Sequence, residues 1–164
     1  MRRHRAALLL FAALLAGAHP LAATAQSVAG CDAPSANARN IYPPYAVTIR
    51  EFADGAVRVI ALDTVEPAAA AFHVMITHVA ADEPFPLCTL ISASADLGFS
   101  GLDMAALTGR EDPARGLILD LPVQQLVGGD AQARAALELT VDRASGVVIA
   151  VLQASTPGPV GGQK

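Results

Sequence analysis

Short apolar runs separated by turn-forming residues make up most of the chain between residues 45 and 154. Residues 137–142 alternate strictly between apolar and polar side chains, which is the period of a half-buried β-strand. Arg143 to Gly146 predicts a turn, and the run that follows, Val147 to Leu152, is apolar at every position. Because strands buried on both faces lack alternation, we expect residues 137–142 to form an outer strand beside a central strand over 147–152.

The same pattern recurs earlier in the chain. Val47, Ile49 and Phe52 are interleaved with polar residues, and Ala53-Asp54-Gly55 predicts a hairpin turn after them. Further strands are predicted over 57–62, 72–79, 87–93 and 116–121. These runs predict an all-β fold, either an antiparallel β-sandwich or a small barrel, of about seven strands.

One segment interrupts the strand pattern. Ser100 is a suitable cap for a short helix with apolar residues at positions 102, 104 and 107, and Gly109 would end it. We therefore expect one short crossover helix between strands. Residues 124–134 are interpreted as a loop that runs into the next strand, with a helical turn after Asp130 as the alternative.

The amino terminus has the three parts of an export signal. A cationic start, Arg2 to Arg5, precedes an apolar run from Ala6 to Ala18 and the small-x-small sequence Ala23-Thr24-Ala25. This order predicts a signal peptide over residues 1–25 that is cleaved, leaving Gln26 first. The apolar run is too short to remain as a membrane span, so none is expected after cleavage. The expected location is the bacterial periplasm or the medium.

A second cleavage site is an alternative. Residues 28–31, Val-Ala-Gly-Cys, resemble a lipoprotein site, at which Cys31 would become a lipidated first residue and anchor the protein to a membrane. Such sites normally adjoin the apolar run, whereas this run ends near Ala18. Cleavage after Ala25 is therefore preferred.

The chain that remains suits one domain with a hydrophobic core. Residues 26–44 are predicted to form an extended N-terminal segment, and residues 45–154 the β-sandwich. Residues 155–164 are rich in Pro and Gly and have no hydrophobic pattern, which predicts a disordered C-terminal tail.

Acidic residues dominate the expected mature chain. The sequence has 15 Asp and Glu against 11 Lys and Arg, and Arg2, Arg3 and Arg5 would leave with the leader. Such a balance repels phosphate backbones and anionic lipid headgroups, so nucleic acid is not an expected partner. Trp is absent, so the aromatic platforms that bind sugars or single-stranded nucleic acid are not evident.

The two cysteines of the chain, Cys31 and Cys88, predict a structural disulfide. A lone pair in an exported protein usually forms such a bond, whereas redox pairs usually lie close in sequence as Cys-x-x-Cys. Closing this loop would stabilise the fold by about 4 kcal/mol in the chain-entropy model. The bond would also hold the N-terminal segment on the domain.

A soft-metal site is the one cofactor alternative. His73 and His78 bracket Met75, and imidazole nitrogen and thioether sulfur are ligands that copper prefers. On a regular strand, however, residues 73 and 75 share one face and residue 78 points to the other. The preferred interpretation is therefore core packing for Met75, one histidine exposed at the strand end, and no bound metal.

Two motifs resemble catalytic or calcium-binding sequences but do not match them in full. Gly98 to Leu102 resembles the nucleophile elbow Gly-x-Ser-x-Gly, but Leu102 replaces the last glycine and the motif needs an α/β sheet around its serine, Ser100. The stretch that begins at Asp96 resembles a calcium loop, but its twelfth position is Leu107 instead of an acid. No catalytic residue and no cofactor are therefore expected.

The function expected from the sequence is binding. The leading hypothesis is an exported, non-enzymatic binding or accessory protein of the bacterial cell envelope. Its partner would be a protein or peptide, held as an extended segment along an exposed edge strand. The alternative is a periplasmic copper or soft-metal carrier that uses His73, Met75 and His78.

Overall fold

The computed structural model of the chain describes residues 26–129 and 131–154. The predicted leader and the predicted C-terminal tail lie outside the described residues. Among the described residues, no helix has the length and apolar character needed to cross a bilayer.

The described residues form ten strands in two antiparallel sheets, which confirms the all-β sandwich. The first sheet has the order β1-β5-β4-β3-β2, and the second has the order β10-β9-β8-β6, with β7 also paired to β8. The strands of the first sheet are β1 (Ser27–Gly30), β2 (Ile49–Phe52), β3 (Val57–Asp63), β4 (Phe72–His78) and β5 (Leu87–Ser92). Those of the second are β6 (Gly101–Leu102), β7 (Thr108–Asp112), β8 (Gly116–Leu126), β9 (Gln132–Asp142) and β10 (Val147–Ala154).

The number of strands is ten and not seven because three strands carry no hydrophobic alternation. β1 is a four-residue strand, β6 has two residues, and β7 has the polar sequence Thr-Gly-Arg-Glu-Asp. Their backbones pair with β5 and β8 although their side chains give no period of two. Pattern reading detects strands by the side chains they bury, so it misses strands held mainly by backbone pairing.

The predicted crossover helix over 100–109 is wrong. This segment forms β6, a turn and β7. The Ser100 N–H donates to the Gln124 carbonyl at 2.8 Å, and the Asp103 N–H donates to the Pro122 carbonyl at 2.9 Å. Strand pairing with β8 therefore satisfies the backbone that a helix would have satisfied internally.

A helical turn occurs instead where the strand pattern was expected to begin. α1 (Tyr45–Thr48) includes Val47, and β2 begins only at Ile49. The buried Thr48 hydroxyl donates to the Tyr42 carbonyl at 2.8 Å, which anchors the turn. The N-terminal segment before it contains β1 and two 3-10 turns, Pro34–Ala36 and Ala38–Asn40, so it is not extended throughout.

The main core lies between the two sheets. It gathers the inward side chains of both sheets together with Phe99, Met104 and Leu107 from the β5–β7 connection. The inward aliphatic side chains are Val57, Val59, Ala61, Val74, Ile76, Ile91, Leu117, Leu119, Leu121, Val123, Ala135, Leu137, Leu139, Val141 and Val148. The alternation that predicted β9 correctly identified its buried residues.

The outer face of the first sheet is also buried, under the N-terminal segment. Ile60, Leu62, Met75 and Leu90 form a second apolar cluster there, with partly buried apolar residues of the segment packed against it. The predicted disulfide between Cys31 and Cys88 is confirmed and joins the segment to β5, with the two Cα atoms 5.6 Å apart. A disulfide of this kind is typical of an oxidising compartment.

The expected order of the last two strands is reversed. β9 lies between β8 and β10, and β10 forms the edge of the second sheet. The apolar side chains on both faces of β10 therefore do not mark a central strand. This strand is the principal candidate for a functional surface.

Candidate functional site

β10 presents an apolar row to the outside of the sandwich. Val147, Ile149 and Val151 have exposed fractions of 51%, 54% and 47%. The alternate residue Val148 is buried, and Ala150 and Leu152 pack partly buried against the main core. We call the three outward side chains, Val147, Ile149 and Val151, the β10 face.

Within the described residues, the backbone of β10 is unpaired on its outer side at Val148 and Ala150, whereas Gln26 binds it at Leu152 and β1 lies close to it. The Leu152 N–H donates to the Gln26 side-chain oxygen at 2.9 Å and so points away from β9. Because N–H and C=O directions alternate along an antiparallel strand, Val148 and Ala150 point the same way. In the described part of the chain, neither of these two residues has a backbone partner on that side.

This edge lacks the features that usually protect an edge strand. β10 has eight residues, Val-Val-Ile-Ala-Val-Leu-Gln-Ala, with no charge and no proline. By contrast, β2 has four residues and carries Arg50 and Glu51, and β7 carries three charged residues. Charges, prolines and short length normally prevent an edge from pairing with another chain. Among the described edges, β10 is the one best suited to accept a further strand.

The turn before β10 fixes its register. Asp142 accepts hydrogen bonds from the backbone N–H groups of Ala144 and Ser145 and from the Ser145 hydroxyl. The Ser145 hydroxyl bond, followed by the backbone bonds, lowers the pKa of the Asp142 carboxyl. Gly146 has φ +78°, a left-handed conformation that closes the turn at little cost without a side chain. β10 therefore returns along β9 with Val147 opposite Asp142.

A shallow groove of about 440 Å³ runs along the β10 face. Its rim includes Glu138, which receives Arg115 Nη1 at 3.2 Å and Arg110 Nη2 at 3.6 Å. Glu138 and Arg115 are therefore paired within the protein, and the Asp142 carboxylate, also on the rim, is bound by N–H and hydroxyl groups of its own turn. An apolar strip with a backbone edge on one side and neutralised charges on the other suits an extended, largely uncharged chain.

No family model matches the chain, and neither a curated protein nor a solved structure matches it. We therefore infer function from the geometry of the site.

The candidate metal ligands do not converge. β4 pairs with β3 in a continuous register from Phe72 to His78, without a bulge. His73 and Met75 lie on its outer face, under the N-terminal segment, and His78 lies on the inner face. One ion cannot bind all three side chains. Among the described residues, no group of three or more His, Cys, Asp or Glu is placed to hold a metal.

His73 instead forms a buried pair with Ser92. Its Nδ1 lies 2.7 Å from the Ser92 hydroxyl oxygen, on the neighbouring strand, and both side chains are buried. Burial lowers the pKa of His73, so its imidazole is neutral at neutral pH. The pair faces a cleft of about 320 Å³ whose rim includes Arg39, Glu66 and Asp96. In the described part of the chain no carboxylate binds the imidazole, so the orienting third group of a catalytic triad is missing.

Ser100, the serine of the elbow-like motif, has no activating base. Its hydroxyl oxygen is buried and has no hydrogen-bond partner among the described residues. A nucleophilic serine needs a histidine within hydrogen-bond reach.

Sequence reasoning missed both features of this site region. The His73–Ser92 contact joins residues 19 positions apart and depends on β4 lying beside β5, which no local pattern reveals. The β10 face did leave a signal, the unbroken apolar run from Val147 to Leu152. That run fits a central strand and a binding edge equally well, and only the strand order separates them.

Proposed function

We propose that the protein is an exported, non-enzymatic binding protein of the cell envelope that holds an extended segment of a partner along β10. The observation that carries this proposal is an unprotected edge strand with a half-exposed apolar face. Export is supported by the leader-like pattern of residues 1–25 and by the Cys31–Cys88 disulfide.

Strand addition would use both sides of β10. The outward N–H and C=O groups of Val148 and Ala150 supply backbone hydrogen bonds, which are independent of the partner's sequence. The β10 face would then pack beside alternate side chains of the added strand. Covering the exposed halves of Val147, Ile149 and Val151 would contribute about 1 kcal/mol each. The backbone would give affinity, and the apolar row would select partners with apolar residues at every second position.

The remaining features favour binding over catalysis or metal transport. Within residues 26–129 and 131–154, no carboxylate orients the His73–Ser92 pair and no base contacts Ser100. The ligands of the metal alternative lie on opposite faces of β4. The ion pairs around Glu138 make the groove's rim a poor site for a strongly charged ligand.

The test is selection of peptides from a random library displayed on phage, with the oxidised protein as bait. Enriched peptides should alternate apolar with polar residues and should shift the amide resonances of Val148, Ala150 and Leu152. In titration calorimetry, Ile149→Lys should weaken their binding at least tenfold. Val47→Lys is the matched control, since Val47 is a 47% exposed apolar residue of α1, which packs beside β2 and β3, and should leave binding unchanged.

Two results would contradict the proposal. Failure to enrich any alternating peptide would show that the edge does not bind extended peptides. Peptides whose binding ignores Ile149→Lys, or whose resonance shifts lie outside β9 and β10, would place the binding surface elsewhere.

A further inference from the structure

We infer that β10 also pairs with β10 of a second copy of this chain, antiparallel and about a two-fold axis at Ala150. This inference rests on the proposed function, because it uses the same edge. It names one specific occupant, a copy of the strand itself.

The register follows from the backbone directions of β10. Val148, Ala150 and Leu152 point their N–H and C=O groups outward, as the Leu152 bond to Gln26 shows. An axis at Ala150, near the middle of the strand, lets Ala150 exchange two hydrogen bonds with Ala150 of the second copy. Val148 then exchanges two with Leu152 of the second copy, and the symmetry repeats that pair. The two second sheets would become one continuous sheet.

The side chains are self-complementary in this register. On the outer face, Ile149 lies opposite Val151 of the second copy, so two isoleucines and two valines form one apolar cluster across the axis. On the inner face, Val148 lies opposite Leu152 of the second copy. At the axis, Ala150 lies opposite Ala150 of the second copy, and no side chain of the strand is smaller. Cross-strand pairs of β-branched residues stabilise sheets.

Charge also favours a second copy. β10 carries no charge, so the pairing brings no like charges opposite each other. The nearest acid on β9, Glu138, is neutralised by Arg110 and Arg115 of its own copy. Two copies of this acidic protein would therefore be in contact through a strand that carries no charge.

The chain's own C-terminal residues are a poorer occupant. The ten residues after Ala154, Ser-Thr-Pro-Gly-Pro-Val-Gly-Gly-Gln-Lys, contain one large apolar residue, Val160, and two prolines. Such a sequence cannot present apolar side chains at every second position. A copy of β10 presents apolar side chains at every second position from Val147 to Val151.

Gln26 competes with the second copy. Its side-chain oxygen occupies the Leu152 N–H that the pairing needs, so it must move aside when the two strands join. Replacing it should therefore strengthen pairing in this register. A non-specific apolar contact through the β10 face would be indifferent to this change.

Sedimentation equilibrium of the full, oxidised protein tests the pairing. We expect a reversible dimer whose dissociation constant rises at least tenfold in Ile149→Lys, falls in Gln26→Ala and is unchanged in Val47→Lys. Should Ile149→Lys fold poorly by near-ultraviolet circular dichroism, Val151→Lys replaces it with the same expectation.

Disulfide cross-linking tests the register. Ile149 and Val151 of the second copy form a non-hydrogen-bonded pair, with Cα atoms about 4.5 Å apart, which a disulfide can bridge. Mixing Ile149→Cys with Val151→Cys should therefore give a mixed disulfide dimer under mild oxidation. Mixing Val47→Cys with Val151→Cys should give none.

Each outcome separates this inference from the proposed function. A protein that stays monomeric up to millimolar concentration, or a dimer that ignores Ile149→Lys, overturns the inference. If that monomer still binds alternating peptides at β10, the proposed function stands. A dimer with the expected cross-link that enriches no peptide supports the inference and contradicts the broader binding role.

Discussion

The imidazole Nδ1 of His73 lies 2.7 Å from the hydroxyl oxygen of Ser92, directly across the pairing of β4 with β5. Both side chains are buried and line the cleft beside the N-terminal segment. His78, five residues further along β4, is 1% exposed, and neither of its ring nitrogens has a hydrogen-bond partner among the described residues. The protein therefore buries two imidazoles in opposite ways, one satisfied and one not.

Stability should fall as the pH drops below about 6.5. Burial lowers the pKa of His73 and of His78, so below that pH the unfolded chain binds more protons than the folded one. The free energy of unfolding then declines by at most about 1.4 kcal/mol per pH unit for each histidine, until each folded-state pKa is passed. Urea unfolding at about pH 7.5 and about pH 5.5 measures the decline.

The control for this effect is His78→Leu, which should remove roughly half of the pH slope. The measurement should stay above about pH 5, because Asp112 and Asp142, whose pKa values are lowered by hydrogen bonds, lose their contribution only below about pH 4. An unchanged slope in a variant lacking both His73 and His78 would assign the pH dependence to other groups.

The two histidines should respond oppositely to leucine at neutral pH. His78→Leu removes two unsatisfied buried nitrogens and should leave stability unchanged or raise it by about 1 kcal/mol. His73→Leu strands the buried Ser92 hydroxyl and should lower stability by about 1–3 kcal/mol. Thermal or urea unfolding of both variants measures the difference. Equal losses would mean that packing, and not hydrogen bonding, decides both sites.

Reducing the Cys31–Cys88 bond should lower stability without abolishing the fold. The cysteines are 57 residues apart, so the loop is long, and a loss of about 2–4 kcal/mol is expected. The far-ultraviolet spectrum should remain β-rich, because the main core between the sheets contains neither cysteine. Thiol titration of the unfolded, unreduced protein should find no free thiol. Collapse of the β signal on reduction would mean that the covering segment is essential to the sandwich.

Processing in a bacterial host should yield a chain that begins at Gln26 and carries no acyl group. The pattern of residues 1–25 predicts this cleavage, and the disulfide is consistent with it, because Cys31 is occupied by Cys88. Mass spectrometry of the intact exported protein measures both the first residue and the thiol state. A diacylated Cys31 at the amino terminus would exclude the disulfide and place the protein on a membrane.

The hydrophobic pattern predicted the strands that bury one face in the sandwich. It failed for the edge strand β10 and for the connection that includes Met104 and Leu107. Residues 137–142 alternate because their apolar side chains point into the main core and their polar side chains point to the outer face of the sheet. Val147 to Leu152 is apolar throughout, although β10 is an edge strand with only one neighbouring strand. The apolar run therefore predicted a central strand, whereas Val147, Ile149 and Val151 are half exposed. Met104 and Leu107 suggested a helix by their spacing, yet each reaches the main core from a turn or strand connection.

The candidate site was harder to predict than the fold because it depends on strand order. No local signal distinguishes β10 at an edge from β10 in the middle, and none places Ser92 beside His73. The disulfide was predictable because each of the two cysteines has only the other as a partner within the chain, and an oxidising compartment favours the bond.

The place of β10 as the last strand of the sandwich decides which edge a partly folded chain exposes. Without β10, β9 has no neighbour on one side, and its edge is open to other chains. When the Asp142–Gly146 turn closes, β10 pairs with β9, and the outer edge of β10 becomes the exposed one. The proposed binding edge therefore exists only when the second sheet is complete.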